Sequence, residues 1–125
     1  MIVINMRNKK KYDVEVATKL KDLRKGLSGR ESLGKNKGMF FDFGYKRRHG
    51  IWMLRMKFPI EIAFINDAGK IVDVYSAEPI SLDPKTWKIY YSKEWVRYVL
   101  EVSGDAGLAE GDIIEWIDSK GQLKE

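Results

Sequence analysis

The sequence predicts a mainly β, single-domain protein: an antiparallel β-sandwich of jelly-roll type, or a closely related barrel, with one packed amphipathic helix. Apolar and polar residues alternate along several short segments, which is typical of strands with one buried face. Glycine, asparagine and aspartate separate these segments, as expected of turns. One segment alone places leucines at helical spacing. Since 125 residues are about one domain's worth, we expect residues 1–125 to share one core.

Two strands are predicted at the start of the sequence. "MIVIN" and "YDVEVA" flank the basic turn "RNKKK" and form an opening pair. In the second strand, Tyr12, Val14 and Val16 are expected to face the core, and Asp13 and Glu15 are expected to face solvent.

The segment "ATKLKDLRKGLSGRESL" is predicted to contain the helix. Leu20, Leu23 and Leu27 recur at helical spacing and form one apolar stripe. Thr18 stands where a side chain can cap the first turn, and Gly26 loosens the end. We therefore expect a short helix whose leucine stripe docks on the sheet.

The segment from Leu54 to Phe64 is predicted to be a half-buried strand. Its even positions are apolar and its odd positions are mostly polar. Pro59 interrupts the pattern, because proline has no N–H for a sheet hydrogen bond, and it marks an edge, a bend or the start of a second strand.

The same alternation assigns faces to neighbouring residues. Met53, Arg55 and Glu61 share the odd, outer face. Trp52 has even parity and is expected inside, packed against residues such as Met39.

The remaining elements complete a set of about eight or nine short strands. "NDAG" predicts a hairpin turn, because its polar side chains bond their own backbone and Gly69 accepts positive φ. A second helical turn is predicted in "DAGLAEG", ending at Gly111. The other predicted strands are "GMFFDF", "KIVDVYSAEPI", "TWKIYY", "VRYVLEV" and "DIIEWI".

The composition excludes several kinds of site. Cysteine is absent and there is one histidine, so disulfides, a thiolate nucleophile and a cysteine-based zinc site are excluded. We therefore expect no metal site and no cofactor. No apolar run approaches the roughly 20 residues of a membrane span, and the N-terminal segment does not resemble a secretory signal. We expect a cytoplasmic protein with no membrane partner.

Charge is distributed unevenly along the chain. Residues 1–57 contain 16 Lys and Arg against 5 Asp and Glu, a net charge of +11, whereas residues 58–125 contain 7 against 13, a net charge of −6. The split indicates either a basic face for an anionic partner or charges that pair across one folded surface and keep the protein soluble.

Five sequence blocks occur in an order that resembles a known family. They are "GLSGR" (26–30), "GMFFDF" (38–43), "WMLRMKFPIEIAF" (52–64), "YVLE" (98–101) and Gly111-Asp112. The series is similar to the domain of unknown function 192 family (DUF192), also called uncharacterised protein family 0127 (UPF0127), over about residues 12–117.

The resemblance implies a mostly β, jelly-roll-like domain with one helix and brings no established activity. The sequence also departs from the family pattern. Asp22-Leu23 replaces Glu-Arg, Ser28 replaces Met, and Leu54-Arg55-Met56 replaces Lys-Asn-Thr. The resemblance therefore does not extend to chemistry that depends on the Lys-Asn-Thr stretch.

The predicted ligand site is the cleft between the helix end and the "WMLRMKFPIE" segment. Arg30 matches the arginine of the family motif, and a guanidinium can hold a carboxylate or phosphate with two hydrogen bonds. The alternative is a surface salt bridge or a cap on helix carbonyls. Arg30, Arg55 and Glu61 are expected to converge and to favour a small anion. The predicted ligand-binding residues are Arg30, Met39, Trp52, Met53, Arg55 and Glu61.

No catalytic residue is predicted. A glutamate beside an arginine, such as Glu61 beside Arg55, is more often an ion pair than a general base. His49 lies in the basic segment "KRRHG", is expected to be exposed, and has no evident catalytic partner. The leading hypothesis is a non-catalytic module that binds a small anionic ligand or a protein partner; an unknown enzyme is one alternative.

Nucleic-acid binding is the other alternative. Two basic turns, with aromatic residues on nearby strands, could bind phosphates and stack bases. The residues concerned are Lys9, Lys10, Lys11, Lys46, Arg47 and Arg48. No RNA-recognition, KH or cold-shock motif accompanies them, so any such binding is expected to be nonspecific.

Overall fold

A computed structural model describes residues 1–117 and 123–124. This part of the chain contains ten strands, one α-helix and one 3-10 turn at Pro84–Thr86. The helix, α1, spans Leu20–Lys25. The strands are β1 (Ile2–Asn5), β2 (Lys11–Ala17), β3 (Lys37–Arg47), β4 (Gly50–Trp52), β5 (Ile60–Ile65), β6 (Ile71–Ala77), β7 (Ile89–Tyr91), β8 (Val96–Ser103), β9 (Ile114–Ile117) and β10 (Leu123–Lys124).

Eight of these strands form one curled sheet that makes a half-barrel. The order across the sheet is β10-β9-β1-β2-β3-β8-β5-β6, and β4 and β7 form a separate two-stranded ribbon. The predicted mainly β fold with one helix is confirmed.

One strand pair departs from the antiparallel pairing expected from the sequence. β2 and β3 run parallel, with Glu15 opposite Met39, and the other pairs of the described strands are antiparallel. Parallel neighbours need a crossover connection rather than a tight turn. The segment that contains α1 supplies this crossover, so the helix lies over one face of the sheet and joins the two strands.

The sheet has an apolar core on each face. One cluster, under α1, includes Leu27, Phe41 and Met53. The other includes Val3 and Trp116. Because both faces are covered at the centre, all six residues of β5 are buried, including those at odd positions that the alternation placed outside.

The chain between β4 and β5 is a turn, not part of a strand. β5 begins at Ile60, so Pro59 marks the start of a strand, one of the positions its sequence allowed. Arg55 has a φ of 64°, which breaks the strand geometry. As a result Met53 is buried and Trp52 is 54% exposed. The predicted positions of these two side chains, Met53 outside and Trp52 inside, are both wrong.

The helix is shorter than predicted, and only part of its leucine stripe is buried. Lys19 is the N-cap residue and makes no side-chain capping bond, so the predicted cap at Thr18 is wrong. Leu20 is exposed, Leu23 is partly buried, and Leu27, beyond the end of α1, is fully buried. On β2, Tyr12 and Val14 are buried as predicted, but Val16 is exposed.

Of the two turns predicted from local sequence, the hairpin is present and the helical turn is not. The Asn66 side chain accepts hydrogen bonds from the backbone N–H groups of Ala68 and Lys70, and Gly69 has a φ of 82°, so the predicted hairpin is confirmed. Residues 105–111 do not form the predicted helical turn. Positive φ angles at Gly107 and Gly111 keep this segment as a loop.

Segment 111–114 closes the open side of the half-barrel. The N–H of Ile71 donates to the carbonyl of Asp112 at 2.8 Å, and the N–H of Ile114 donates to the carbonyl of Gly69 at 2.7 Å. The Asp112 carboxylate accepts from Asn5 at 2.8 Å and from Arg7 at 2.6 Å. These bonds fix the end of β1 to the loop before β9.

Candidate functional site

A cavity of about 520 Å³ lies between α1 and the sheet face that α1 covers. We call it the α1 cavity. Strand β3, the β3–β4 turn, the turn after β4 and strand β8 each contribute side chains to it. Its lining includes Leu23, Phe41, His49, Met53, Met56 and Glu101.

The turn after β4 supplies the two methionines of the cavity. The N–H of Met56 donates to the carbonyl of Met53 at 3.1 Å, and Arg55 takes the positive φ that this tight turn requires. The Ser28 hydroxyl donates to the carbonyl of Leu54 at 3.2 Å, which ties the turn to the chain just after α1. Both methionine side chains are buried and present polarisable sulfur to an apolar space.

Glu101 is the one acidic residue in the lining of the α1 cavity among the described residues. It belongs to β8, opposite Met39 on β3 and Ile62 on β5, and is 4% exposed. Its side chain makes no hydrogen bond to the described residues, and burial raises its pKa to about 8. At neutral pH the α1 cavity therefore presents an uncharged carboxyl group.

His49 is the second polar group of the α1 cavity. Its ring is buried and stacks on Phe43 with centroids 3.8 Å apart, so the predicted exposure of this histidine is wrong. Nε2 lies 3.2 Å from the carbonyl oxygen of Tyr45, which can only accept, so Nε2 holds the hydrogen and Nδ1 remains an acceptor. Burial lowers the pKa of His49, which keeps the ring neutral.

Cationic side chains lie around the α1 cavity on the helix side. Arg24 and Lys25 line it from the last turn of α1. Arg55 and exposed Trp52 lie beside a shallower depression that adjoins it, against Leu20. The α1 cavity is thus positive on its helix side and apolar in its interior, apart from Glu101 and His49.

The predicted convergence of Arg30, Arg55 and Glu61 is wrong. Arg30 forms a two-bond ion pair with the exposed Glu15, its second nitrogen donating to Oε1 at 3.0 Å. Glu61 is buried and accepts from the backbone N–H groups of residues 107 and 108 at 2.8 and 2.7 Å.

Sheet register explains this separation. Glu15, Met39 and Glu101 are partners across neighbouring strands and share the face under α1. Glu61 pairs with Val102, one position along β8, and therefore projects from the opposite face. The Arg30 ion pair and the Glu61 carboxylate thus lie on different sides of the sheet.

Of the six predicted ligand-binding residues, Trp52 and Met53 line the α1 cavity. Met39 is buried in the core beside it, next to Glu101, and Arg55 lies at the adjoining depression. Sequence reasoning missed Glu101 and placed His49 in solvent. A signal for Glu101 was present, since it is the one charged residue in the apolar run "YVLEV".

The two basic turns predicted to bind nucleic acid lie at opposite ends of the sheet. β2 and β3 are parallel and Asp13 lies opposite Lys37, so Lys11 is near the start of β3. Arg47 ends β3, about 30 Å away at the usual rise per residue. Lys46 also forms an ion pair with Asp67 at 3.0 Å. The two turns therefore do not form one compact basic patch.

Two properties of the described part of the chain bear on the sequence predictions. No helix in residues 1–117 or 123–124 has the length and apolar composition that crossing a membrane requires. In the same residues, no group of three His, Asp or Glu side chains is arranged to hold a metal ion.

Comparisons with known proteins support one family. The family model DUF192, described as "Uncharacterized ACR", matches residues 2–116. No curated protein matches the chain. A solved structure from Sinorhizobium meliloti 1021, described as a "putative transcription regulator", is 30% identical with a TM-score of 0.74, and the match covers 91% of this chain and 89% of that one.

A second solved structure is similar in fold. It is a protein of unknown function from Novosphingobium aromaticivorans DSM 12444, with 24% identity and a TM-score of 0.79. The match covers 92% of this chain and 82% of that one. Because the family model matches nearly the whole chain, including the "YVLE" block that ends in Glu101, the protein belongs to the DUF192 family.

Proposed function

We propose that this protein is a non-catalytic module that binds a small, largely apolar ligand in the α1 cavity. The observation that supports the proposal is the Glu101 carboxyl group, which lines the largely apolar interior of this cavity and has no hydrogen-bond partner among the described residues. Small-molecule sites are typically cavities of roughly 300–1,000 Å³ with mostly apolar walls and few polar groups. The α1 cavity, at about 520 Å³, has these properties.

This proposal changes the ligand chemistry expected from the sequence. An anion was expected because Arg30 and Arg55 were thought to face one cleft. Arg30 is instead paired with Glu15, and the acidic group of the α1 cavity is Glu101. Above about pH 8, where Glu101 is ionised, a carboxylate ligand beside it would place like charges together, so the interior disfavours an anionic group there.

The test is a thermal-shift screen of small apolar compounds against the protein and a variant with a filled cavity. A ligand at about 100 times its Kd adds roughly 2.7 kcal/mol of stability. Leu23→Trp should abolish the shift, because Leu23 lines the α1 cavity. Leu82→Trp is the matched control, since Leu82 is 97% exposed and does not line it.

Ile51→Trp serves as a second filled variant if Leu23→Trp does not melt cooperatively, because Ile51 also lines the α1 cavity. Equal ligand-induced shifts in the wild type and in a folded filled variant would place the binding elsewhere and refute the proposal.

A second candidate function is binding of single-stranded nucleic acid at the β3–β4 turn. Exposed Tyr45, Tyr91 and Trp95 surround a shallow depression together with Arg47 and Arg48. Aromatic rings beside cations suit stacked bases and phosphates. The similar protein from S. meliloti is described as a "putative transcription regulator", which fits the same class of partner.

The test of this candidate is fluorescence anisotropy with a labelled oligothymidine. Arg47→Glu with Arg48→Glu should remove binding, and affinity should fall steeply between about 50 and 200 mM salt. Lys9→Glu with Lys10→Glu, at the other end of the sheet, is the control for net charge. Equal losses in the two double variants would show that only net charge attracts the oligonucleotide.

A further inference from the structure

Glu101 differs from every other buried acidic residue of the described chain. Four are buried: Glu61, Asp73, Glu101 and Asp112. Glu61 accepts from two backbone N–H groups, Asp73 from the Tyr75 hydroxyl at 3.1 Å, and Asp112 from Asn5 and Arg7. Glu101 alone of the four has no such donor among the described residues. Among the described residues, Tyr12 Oη is the one buried side-chain polar atom that has neither a partner nor solvent contact. The Glu101 carboxyl oxygens therefore open into the α1 cavity, where a donor from outside the chain can reach them.

The walls around Glu101 indicate what kind of donor fits. Phe41 and Phe43 present aromatic rings, and Met53 and Met56 present thioethers. Aromatic faces attract cations, and a carboxylate forms its strongest hydrogen bonds with a charged nitrogen. His49 adds one neutral acceptor, Nδ1. These groups match an ammonium better than they match an anion.

The helix side of the α1 cavity limits the rest of the ligand. Arg24 and Lys25 line that side and would repel a second cationic group. The apolar interior has room for a hydrocarbon or aromatic body. A ligand with one amine, an apolar body and a neutral or acidic distal end satisfies every part of this lining.

Resting on the proposed function, we propose that the α1 cavity selects an apolar monoamine whose ammonium group binds the Glu101 carboxylate. The amine supplies the donor that Glu101 lacks, and Phe41, two residues along β3 from the Glu101 partner Met39, lies on the same face. Glu101 selects a positively charged group on the ligand, and the methionine and aromatic side chains contact the apolar part of the ligand.

This pairing makes binding depend on pH in a defined direction. Burial raises the pKa of Glu101 to about 8, so an ammonium ion must displace a proton from it below that pH. Affinity should therefore rise about tenfold per pH unit up to about pH 8 and then level off. The other titratable groups lining the α1 cavity are Arg24, Lys25, Tyr45 and His49. Burial lowers the pKa of His49, which favours its neutral form.

The experiment is isothermal titration calorimetry of the full chain with three probes of equal length: hexylamine, hexanol and hexanoate. 2-Phenylethylamine and 2-phenylethanol repeat the comparison with an aromatic body. At about pH 8.5, each amine should bind about ten- to a hundredfold more tightly than its alcohol, the scale of one charged hydrogen bond, and hexanoate should bind most weakly. Between about pH 8.5 and 6.5, the preference should shrink by more than tenfold.

Glu101→Gln should remove the preference for the amine and keep the affinity for the alcohol. Glu78→Gln, an exposed site with the same change of charge, should behave as the wild type. If the alcohols bind as tightly as the amines, or if Glu101→Gln keeps the preference, the amine assignment fails while the proposed binding function stands. If neither the amines nor the alcohols bind, both fail.

Discussion

Glu101→Gln should stabilise the protein in a way that depends on pH. The pKa of Glu101 is raised from an ordinary value of 4.5 to about 8 by burial. Between these two values the folded protein holds the proton and the unfolded chain has released it, so stability falls as pH rises. The contribution of the neutral carboxyl group is complete below pH 4.5 and is lost by about pH 8. A neutral glutamine of similar shape does not incur this loss.

The magnitude follows from the pKa shift of Glu101. One pKa unit corresponds to about 1.4 kcal/mol, so a shift from 4.5 to about 8 corresponds to roughly 5 kcal/mol. Domains of this size are stable by about 5–15 kcal/mol in total. The difference between variant and wild type is therefore expected to be near zero at about pH 4.5 and several kcal/mol at about pH 8.5.

The assay is urea denaturation of wild type, Glu101→Gln and Glu78→Gln across this range of pH. Other groups titrate in all three proteins, so their effects cancel in the differences. Glu78 is exposed, and its variant should follow the wild type at every pH. A constant difference between Glu101→Gln and wild type from about pH 5 to 8.5 would refute the argument, because it would mean that Glu101 is already ionised in the folded protein.

Three further predictions concern the scaffold and the surface, and urea midpoints check all of them. Leu27→Ala should lower the free energy of unfolding by about 2–5 kcal/mol because Leu27 is fully buried, whereas Leu20→Ala, at an exposed position, should change it little. Equal losses in the two variants would contradict the burial of Leu27 and the exposure of Leu20. Asp112→Asn should lower the free energy of unfolding by about 1–3 kcal/mol. Burial raises the pKa of Asp112, but hydrogen bonds from Arg7 and Asn5 outweigh burial and hold this pKa below its ordinary value of 3.8. The stability difference between wild type and variant is therefore present above pH 3.8 and fades as pH falls through the lowered pKa. Arg30→Ala should cost less than about 1 kcal/mol, since its partner is exposed, and a larger loss would mean that Arg30 supports the core.

Local pattern predicts the Asn66–Gly69 hairpin and part of the facing of β2. The Asn66–Gly69 hairpin follows from turn chemistry alone, because the Asn66 side chain accepts from the backbone N–H groups of residues 68 and 70 and Gly69 takes a positive φ. Tyr12 and Val14 were placed correctly, since β2 alternates where one of its faces is packed. The predicted burial of Val16 is wrong, because the core does not extend over this side chain. Where the core ends depends on residues far along the chain.

The predicted cleft coincides with a cavity, but its lining differs from the prediction. Trp52 and Met53 line the α1 cavity beside the helix end, and ligand binding there stays a prediction. The faces were wrong, since Arg55 turns the chain and a strand does not continue through it. The sequence marks Glu101 as the one charged residue of "YVLEV", but it does not show the lack of a hydrogen-bond partner, which depends on the strands that lie beside β8.

The position of β1 in the sheet has a consequence for folding. β1 lies between β2 and β9, and Ile2 pairs with both Asp13 and Ile117. One neighbour is therefore made within the first residues of the nascent chain, while the other cannot form until residue 117 has left the ribosome. Contacts of such long sequence separation slow folding. Until they form, the apolar side chains of β1 and the inner strands stay open to other chains, so synthesis is the stage at which this protein is most exposed to aggregation.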